Sequence, residues 1–405
     1  MTGGATAATG TGDTGGMGGL GGLVGEGCAG GGGTHHDSDP TSASTSTPAD
    51  SALLARLSLN QETLRQWSLP DLVDGCARAG VRGVGLWRAP VRQYGTAAAA
   101  RLVRDAGIAV TSLCRGGFFT AEDPGERRTA LADNRAAIEE AAALGTTTLV
   151  LVSGGLPPGS RDLAGARERI ADALAELAPY AAERGVRLAL EPLHPMYAAD
   201  RCVVSTLAQA LDLAERFPAD RVGVVVDTYH LWWDDTVGTQ IARAGGTGSA
   251  GGAGGADGAG GVGGAGGAGS TGVTGGAGGA GGVGGIGVTG GARGTGGAGS
   301  TGVTGGARST GATGVTGGSE GIGGAVSRIA AFQLADWITP LPAGVLLGRG
   351  QLGDGSVDLR WFRQQVDATG YRGPIEVEIF NPALWARDGT EVLAEVVQRF
   401  TTHVG

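Results

Sequence analysis

Short apolar runs alternate with alanine-rich helical patterns along much of this chain, and this alternation constrains the fold more than any other feature. The segment RVGVVVDTYHLWWDD, Arg221 to Asp235, illustrates one run, in which four valines lead into Asp227. Continuous β-branched residues without polar alternation are typical of a strand buried on both faces, as in a parallel sheet covered by helices. A carboxylate at the end of such a strand needs a partner or a function.

Eight such runs alternate with helical patterns. We predict strands at Ala55–Leu59, Gly83–Leu86, Ile108–Cys114, Thr148–Val152, Arg187–Glu191, Val222–Asp227, Ile329–Leu334 and Ile375–Glu378. Helices are predicted at Leu69–Ala79, Ala97–Ala106, Glu126–Leu144, Leu163–Arg184, Thr206–Phe217, Asp358–Thr369 and Glu391–Thr402. Because strict alternation calls for parallel strands, the pattern predicts an α/β fold, the (β/α)8 TIM barrel. A doubly wound open sheet is the alternative, but no GxGxxG sequence follows the first strand.

Glycine is distributed very unevenly, with 83 glycines in 405 residues. Residues 1–50 have almost no large apolar side chains, and residues 244–325 consist of units such as STGVTGGA without any aromatic residue. Segments with so little to bury are expected to be disordered. We therefore predict a disordered tail at 1–50 and a disordered Gly-rich insertion at 244–325. The barrel then comprises strands 1–6 at 51–243 and strands 7–8 at 326–405.

Charge and residue usage exclude several classes of function. The net charge is −9 with no basic run, which argues against nucleic acid or an anionic membrane as a partner. Without an apolar leader or a membrane-length apolar run, a cytoplasmic location is expected. The chain contains no lysine, which excludes Schiff-base aldolases, pyridoxal-phosphate enzymes and P-loop nucleotidases. The four cysteines form no CxxC pair, so they indicate neither a zinc ribbon nor a disulfide framework.

Polar side chains fall at the ends of the last four predicted strands, where the active sites of such barrels lie. These candidates are Glu191, Asp227, His230, Gln333, Asp336, Glu376 and Glu378. Carboxylate and amide oxygens suit Mg²⁺ or Mn²⁺, and nearby imidazole leaves Zn²⁺ or Co²⁺ open. Glu376 and Glu378 share one strand face by the period-two rule, and we choose Glu378 because it lies nearer the strand end.

Other residues near these ends have two interpretations each. Glu191 and Asp227 could form ordinary ion pairs with Arg201 or Arg349. Arg349, in the loop LLGRGQLGDG (Leu346 to Gly355), could instead bind a substrate hydroxyl, carboxylate or phosphate. The remaining substrate-binding candidates are His230, His194 and Trp337. His230 could merely cap the next helix, and Trp337 could merely pack in the core.

The motifs LEPLHP, VVDTYHLWW, FQLADW, GRGQLGDG and GPIEVEIFN together resemble the sugar phosphate isomerase/epimerase family, the xylose isomerase-like barrels. The resemblance covers nearly all of 51–243 and 326–405. It implies one divalent metal ion (Mn, Mg, Co or Zn) held by Glu191, Asp227, Gln333 and Glu378. Gln333 stands where most members have histidine, and related 3-dehydroshikimate dehydratases have glutamine there.

The resemblance also implies the chemistry of an isomerase or epimerase. Glu191 and Glu378 would exchange protons with a carbohydrate-like small molecule through an enediolate, while Asp227 and Gln333 would mainly hold the ion. Two alternatives stay open at this point. One is a metal-dependent lyase like 3-dehydroshikimate dehydratase, and the other is a non-catalytic sugar-binding protein. Assembly into a homo-oligomer is compatible with either.

Overall fold

Eight parallel strands close into a barrel in the computed structural model, which describes residues 48–246, 326–341 and 348–405. The predicted TIM barrel is confirmed. The predicted tail, except residues 48–50, and the predicted insertion, except residues 244–246, lie outside the described residues, as does Leu346 at the start of the predicted loop. Within the described ranges, every helix is too short or too polar to cross a membrane.

The barrel strands lie within a few residues of their predicted positions, and three have the predicted bounds. They are β1 (Leu57–Asn60), β2 (Gly83–Trp87), β3 (Ala109–Gly117), β4 (Thr148–Val152), β5 (Arg187–Leu190), β6 (Val222–Asp227), β7 (Ile329–Leu334) and β10 (Ile375–Val377). The order around the barrel is β1, β10, β7, β6, β5, β4, β3, β2. Two short strands, β8 (Asp336–Trp337) and β9 (Arg349–Gly350), pair antiparallel between β7 and β10.

Helices connect the strands and cover the outside of the sheet. They are α1 (Pro48–Leu54), α2 (Leu69–Arg78), α3 (Arg88–Tyr94), α4 (Thr96–Asp105), α5 (Pro124–Leu144), α6 (Leu163–Ala182), α7 (Leu207–Ala214), α8 (Thr228–Leu231), α9 (Val237–Ala244), α10 (Leu359–Ala368), α11 (Pro382–Trp385) and α12 (Gly389–Val404). Several begin at a side chain that accepts a hydrogen bond from the first turn, as Asp123, Asp162 and Asp388 do.

The period-two rule determines which side chains enter the barrel. Val224 and Val226 of β6 pack in the large core outside the sheet, whereas Val225 belongs to a small apolar cluster inside it. Asp227 lies two residues after Val225 and therefore faces the interior at the carboxyl end of the strand. The same spacing relates Ala189 to Glu191 and Ala331 to Gln333 on neighbouring strands. Small apolar side chains thus fill the middle of the barrel, and polar ones line its mouth.

The glycine-rich tract enters and leaves the barrel at adjacent points. Helix α9 ends at Ala244, whose carbonyl oxygen accepts a hydrogen bond from the amide of Arg328 at 2.7 Å, just before β7 begins. The Arg328 guanidinium donates to the carbonyl oxygens of Ala214, Val222 and Phe217, which holds the incoming chain against the preceding unit. The barrel therefore needs only a short connection here.

We expect a chain in which a four-residue Gly-Ser linker replaces residues 247–325 to fold and unfold cooperatively. Loop-closure entropy changes by only about 0.6 kcal/mol for each doubling of loop length, so the shorter loop should raise the free energy of unfolding by a few kcal/mol at most. Chemical denaturation followed by circular dichroism measures this. Arg328→Ala in the shortened chain is the matched control and should be destabilised. Insoluble shortened protein would contradict the proposed boundaries.

Candidate metal centre and active site

Four predicted ligand residues meet at the carboxyl end of the barrel. Glu191 follows β5, Asp227 ends β6, Gln333 lies in β7 next to Asp227 in register, and Glu378 follows β10. All four side chains are buried. The structure also places His230 of α8 in this group, since Glu191, Asp227 and His230 each offer a ligand atom, and these atoms lie within 4.8 Å of one another. The arrangement could hold a cation.

Arg349 lies among these carboxylates. Its Nη1 atom is 2.9 Å from Glu378 Oε2 and 3.3 Å from Asp227 Oδ2, and it also donates to the carbonyl oxygen of Glu378 at 3.1 Å. The guanidinium is enclosed by the rings of Tyr229 and Phe380, at 4.7 and 4.8 Å from their centroids. Of the alternatives given by the sequence, the structure therefore shows the ion pair between Arg349 and Asp227. The Arg349 Nε atom is buried without a hydrogen-bond partner in the described structure.

Asp336 is one of the polar candidates that the sequence places at the strand ends. Its carboxylate holds the backbone of the segment that contains Arg349. Its carboxylate accepts hydrogen bonds from the amides of Trp337, Gly353, Gly355 and Val357. Glycine is required at position 355, because a Cβ atom there would lie 2.2 Å from the carbonyl oxygen of Trp337. Asp336 thus fixes the loop that follows β9 against β8.

Glu376 and Glu378 face the same way but have different partners. The Glu376 carboxylate accepts hydrogen bonds from the side chains of Asn60, Thr111, Ser112 and Gln333. Because a carboxylate only accepts, Gln333 must turn its NH₂ group towards Glu376, at 3.0 Å. The Gln333 Oε1 atom then points elsewhere, and it is buried without a hydrogen-bond donor in the described structure. An orphaned buried oxygen is unfavourable unless it has a partner such as a cation.

His230 lies against the carboxylates in its neutral form. Its Nε2 atom is 3.8 Å from Glu191 Oε1 and 3.7 Å from Asp227 Oδ2. Burial and the nearby Arg349 charge hold the pKa of His230 well below its usual value, so neither contact is an ion pair. Nδ1 faces the amide of His194 and Nε2 faces Arg349 Nη2. A neutral imidazole has one acceptor nitrogen, so only one of these contacts is a hydrogen bond.

The buried carboxyl groups hold protons more tightly than usual. Burial raises the pKa of Glu378 from 4.5 to about 8, where the Arg349 charge opposes the shift and Asp227 adds to it. Burial also raises the pKa of Glu191, with the negative charges of Glu378 and Asp227 acting in the same direction. The pKa of Asp227 is raised by burial, and Arg349 offsets part of this effect. Carboxyl groups that titrate near neutral pH are suited to proton transfer.

A cavity of about 210 Å³ opens above this group, and Glu191, His230, Arg349 and Glu378 line it. Two predicted substrate contacts, His194 and Trp337, are not among its lining residues. The His194 ring stacks on Trp337 with centroids 4.9 Å apart, and Trp337 also packs on Tyr229 and Trp232. Contact of these two residues with substrate stays a prediction.

Arg115 and Trp87, which are not among the residues predicted from the sequence, also line the cavity. Trp87 ends β2, and its indole nitrogen donates to Asn60 at 2.9 Å. Its position at a strand end was the signal that could have found it. No such signal marks Arg115, because β3 is one residue out of register at that point.

The chain matches a family profile described as the xylose isomerase-like TIM barrel over residues 73–249 and 320–396, well over half of its length. Among solved structures it is similar to protein SMc04130 from Sinorhizobium meliloti 1021, with 34% identity and a TM-score of 0.65, over 86% of this chain and 98% of that one. No curated protein matches.

Two more distant structures share the fold. The IOLI protein with a binding zinc atom is 16% identical with a TM-score of 0.58, over 86% of this chain and 98% of that chain. D-psicose 3-epimerase with D-tagatose, from Clostridium cellulolyticum H10, is 14% identical with a TM-score of 0.55, over 86% and 99% of the two chains.

Because of the raised pKa values, the free energy of unfolding of the metal-free protein should depend on pH in a defined way. Glu378 binds its proton more tightly when folded, so its contribution to stability is complete below about pH 4.5 and is lost as the pH rises towards 8. After treatment with a chelator, the free energy of unfolding should fall across this range by up to roughly 1.4 kcal/mol per pH unit from this one group. Denaturant titrations at a series of pH values measure it.

Glu378→Gln serves as the matched variant, because its amide does not titrate. Its stability should decline more gently over the same range, and other titrating groups should affect both proteins equally. Parallel curves for the two proteins would show that Glu378 titrates normally.

Proposed function

The chain belongs to the xylose isomerase-like TIM barrel family, and from this premise we propose that it is a metal-dependent isomerase or epimerase of a sugar, or of a sugar-like polyol or inosose. Proton transfer would proceed through an enediolate. The observation that carries the proposal is the pair Glu191 and Glu378, two buried carboxyl groups with raised pKa values that line one cavity. Their strands are separated by β6 and β7, so the two groups approach the cavity from different sides.

The donor set fits a divalent cation. Glu191, Asp227, Gln333 and Glu378 would hold it, with Gln333 contributing the amide oxygen that has no donor. These are hard oxygen ligands of the kind that Mg²⁺ and Mn²⁺ prefer, while the adjacent His230 nitrogen would also suit Zn²⁺ or Co²⁺. The fold relative that has a binding zinc atom, the IOLI protein, supports the proposal of a metal.

The cation, when bound, supplies electrophilic polarisation of a substrate carbonyl. Side chains of the protein would carry out the proton transfers and bind the substrate oxygens. One of Glu191 and Glu378 would take the proton from the carbon next to the carbonyl, and the other would return a proton at another face or carbon. Neutral His230 can bond a substrate hydroxyl, and the enclosed Arg349 guanidinium can donate to an oxygen that becomes negative. Epimerases among the fold relatives support this assignment.

A lyase that expels water is the second candidate. It would begin with the same proton removal next to a carbonyl, and Gln333 favours it because related dehydratases have glutamine at this position. Product analysis separates the two candidates, since dehydration forms a conjugated product that absorbs ultraviolet light, whereas isomerisation does not. A sugar-binding protein without activity would exchange no substrate hydrogen.

Glu378→Gln tests the proton-transfer role. The amide keeps an oxygen that can face the cation but removes one proton acceptor, so C–H exchange in deuterated water should fall about 10²–10⁴-fold. A panel of ketoses, inososes and 3-dehydroshikimate, followed by NMR, supplies the substrate. Elemental analysis should still find about one divalent ion per chain, as in the unchanged protein. Undiminished exchange in Glu378→Gln would remove Glu378 from the mechanism.

Substitutions of Gln333 test whether its side chain is a ligand of the cation. Gln333→Met fills similar space without an oxygen and should lower metal affinity by about tenfold or more, measured by calorimetry on chelator-treated protein. Gln333→His restores a ligand atom, so it should bind metal and keep activity, with an altered preference among metals. Equal affinity in the Met and His variants would mean that Gln333 is not a ligand.

A further inference from the structure

Two arginines, Arg115 and Arg201, line the same cavity as the carboxylates of Glu191 and Glu378. Cys114 and Arg115 both face the cavity, although consecutive residues of a regular strand face opposite ways. The register between β3 and β4 shifts between Cys114 and Gly116, which leaves Arg115 out of the ladder. Such bulges redirect a side chain, often next to an active site.

Arg201, which also lines the cavity, is held in place by its backbone. Its amide donates to the carbonyl oxygen of Tyr197, and its own carbonyl oxygen accepts from the amide of Gly154, both at 2.9 Å. Cys202, the next residue, forms a β-bridge with Gly154. The connection between β5 and α7 is thereby tied to the end of β4, and Arg201 has a fixed support.

Within the described residues, neither guanidinium forms an ion pair with an acid that lines the cavity, although the Glu191 charge acts on Arg115. Arg115 has no ion pair or side-chain hydrogen bond in the described part of the chain, and its guanidinium lies over the ring of Phe118 at 4.4 Å. Among the described residues Arg201 has one ion-pair partner, Asp200, whose carboxylate is 62% exposed and lies 3.4 Å from Nε. This Nε atom is buried and lacks a hydrogen-bond acceptor within the described residues.

Other arginines of the barrel form ion pairs with acidic side chains. Arg88 is bound by both Asp133 and Glu140, and Arg65, which lines the same cavity, lies 3.4 Å from Glu62. Arg115 and Arg201 instead face each other's charge. Burial lowers the pKa of Arg115, and the repulsion from Arg201 lowers it further, while the negative charge of Glu191 acts in the opposite direction. Two neighbouring cations that form no ion pair with the acids of the cavity are stabilised by an anionic ligand.

We propose that Arg115 and Arg201 together bind an anionic group, a carboxylate or a phosphate, of the substrate. The substrate class is then a sugar acid or sugar phosphate rather than a neutral sugar. Guanidinium groups pair with both kinds of oxyanion through two parallel hydrogen bonds. This inference rests on the proposed function for the reaction, but the binding of the anion does not depend on it.

The experiment compares the unchanged protein with Arg115→Gln, Arg201→Gln and the double variant, using Arg65→Gln as the matched control. In the exchange assay, each ketose is paired with its terminal phosphate and with the corresponding keto acid. We expect kcat/KM to favour one anionic member, and this preference should fall about 10- to 100-fold in each single variant. Arg65→Gln should keep the preference. Which anionic member is favoured distinguishes phosphate from carboxylate.

A second measurement needs no activity. Calorimetry with inorganic phosphate and with gluconate on the metal-loaded protein should detect binding that is weakened in both single variants. Thermal stability of these variants should stay unchanged or rise, because a repulsion is removed, whereas loss of a structural arginine would lower it. Anion binding without exchange of any substrate would support the anion site and contradict the proposed reaction. Exchange of neutral and anionic substrates with equal kcat/KM, unaffected by the variants, would overturn the anion site alone.

Discussion

The mouth of the barrel gathers negative charge where water has little access, and the rest of the site depends on how that charge is balanced. Asp227 and Glu378 are buried, and Arg349 is the cation that contacts both. Removing one member of a buried pair typically costs about 3–5 kcal/mol, because the other charge is left uncompensated. Arg349 reaches this position because β9 pairs with β8 over the barrel, and Asp336 fixes the loop that follows.

The two glutamates of the last barrel strand show how surroundings decide the role of a side chain. Glu376 lies one layer deeper and accepts four side-chain hydrogen bonds, including those from Asn60 and Ser112. Glu378 has Arg349 as its hydrogen-bonding partner and a pKa of about 8. The deeper carboxyl group orients its neighbours, notably Gln333, whereas the outer one can exchange a proton near neutral pH. Residue type and strand face are the same, so the surroundings of each side chain make the difference: Glu376 accepts four side-chain hydrogen bonds, whereas burial raises the pKa of Glu378.

The sequence was sufficient to predict the barrel because each buried parallel strand is a local signal. A run of valines marks a strand covered on both faces, and the period of two then selects which polar residue at its end faces inwards. Asp227 and Glu191 could be located in this way, and the choice of Glu378 over Glu376 followed from distance to the strand end. These inferences need only neighbours in the chain.

The remaining features depend on contacts between distant parts of the chain. Arg349 lies 122 positions from Asp227, and only the folded β8–β9 pair brings it to the carboxylate. The orientation of the Gln333 amide is set by Glu376, 43 positions away. Arg115 faces the cavity because of a register shift that has no signature in its neighbours. The stacking of Trp337 on His194, 143 positions away, likewise depends on the folded chain.

The charges of the proposed site also determine the orientation in which a substrate binds. Of the four buried carboxyl groups of Glu191, Asp227, Glu376 and Glu378, the proposed exchange requires one of Glu191 and Glu378 to hold a proton. The three remaining carboxylates would be balanced by Arg349 together with one divalent cation. A monovalent cation would leave this group negative, and it would then repel the enediolate that has to form there. With a divalent cation the group is neutral overall, while Arg115 and Arg201 contribute positive charge to the same cavity. An anionic group is therefore drawn to the two arginines, which leaves the carbonyl end of the molecule to face the two proton-exchanging glutamates.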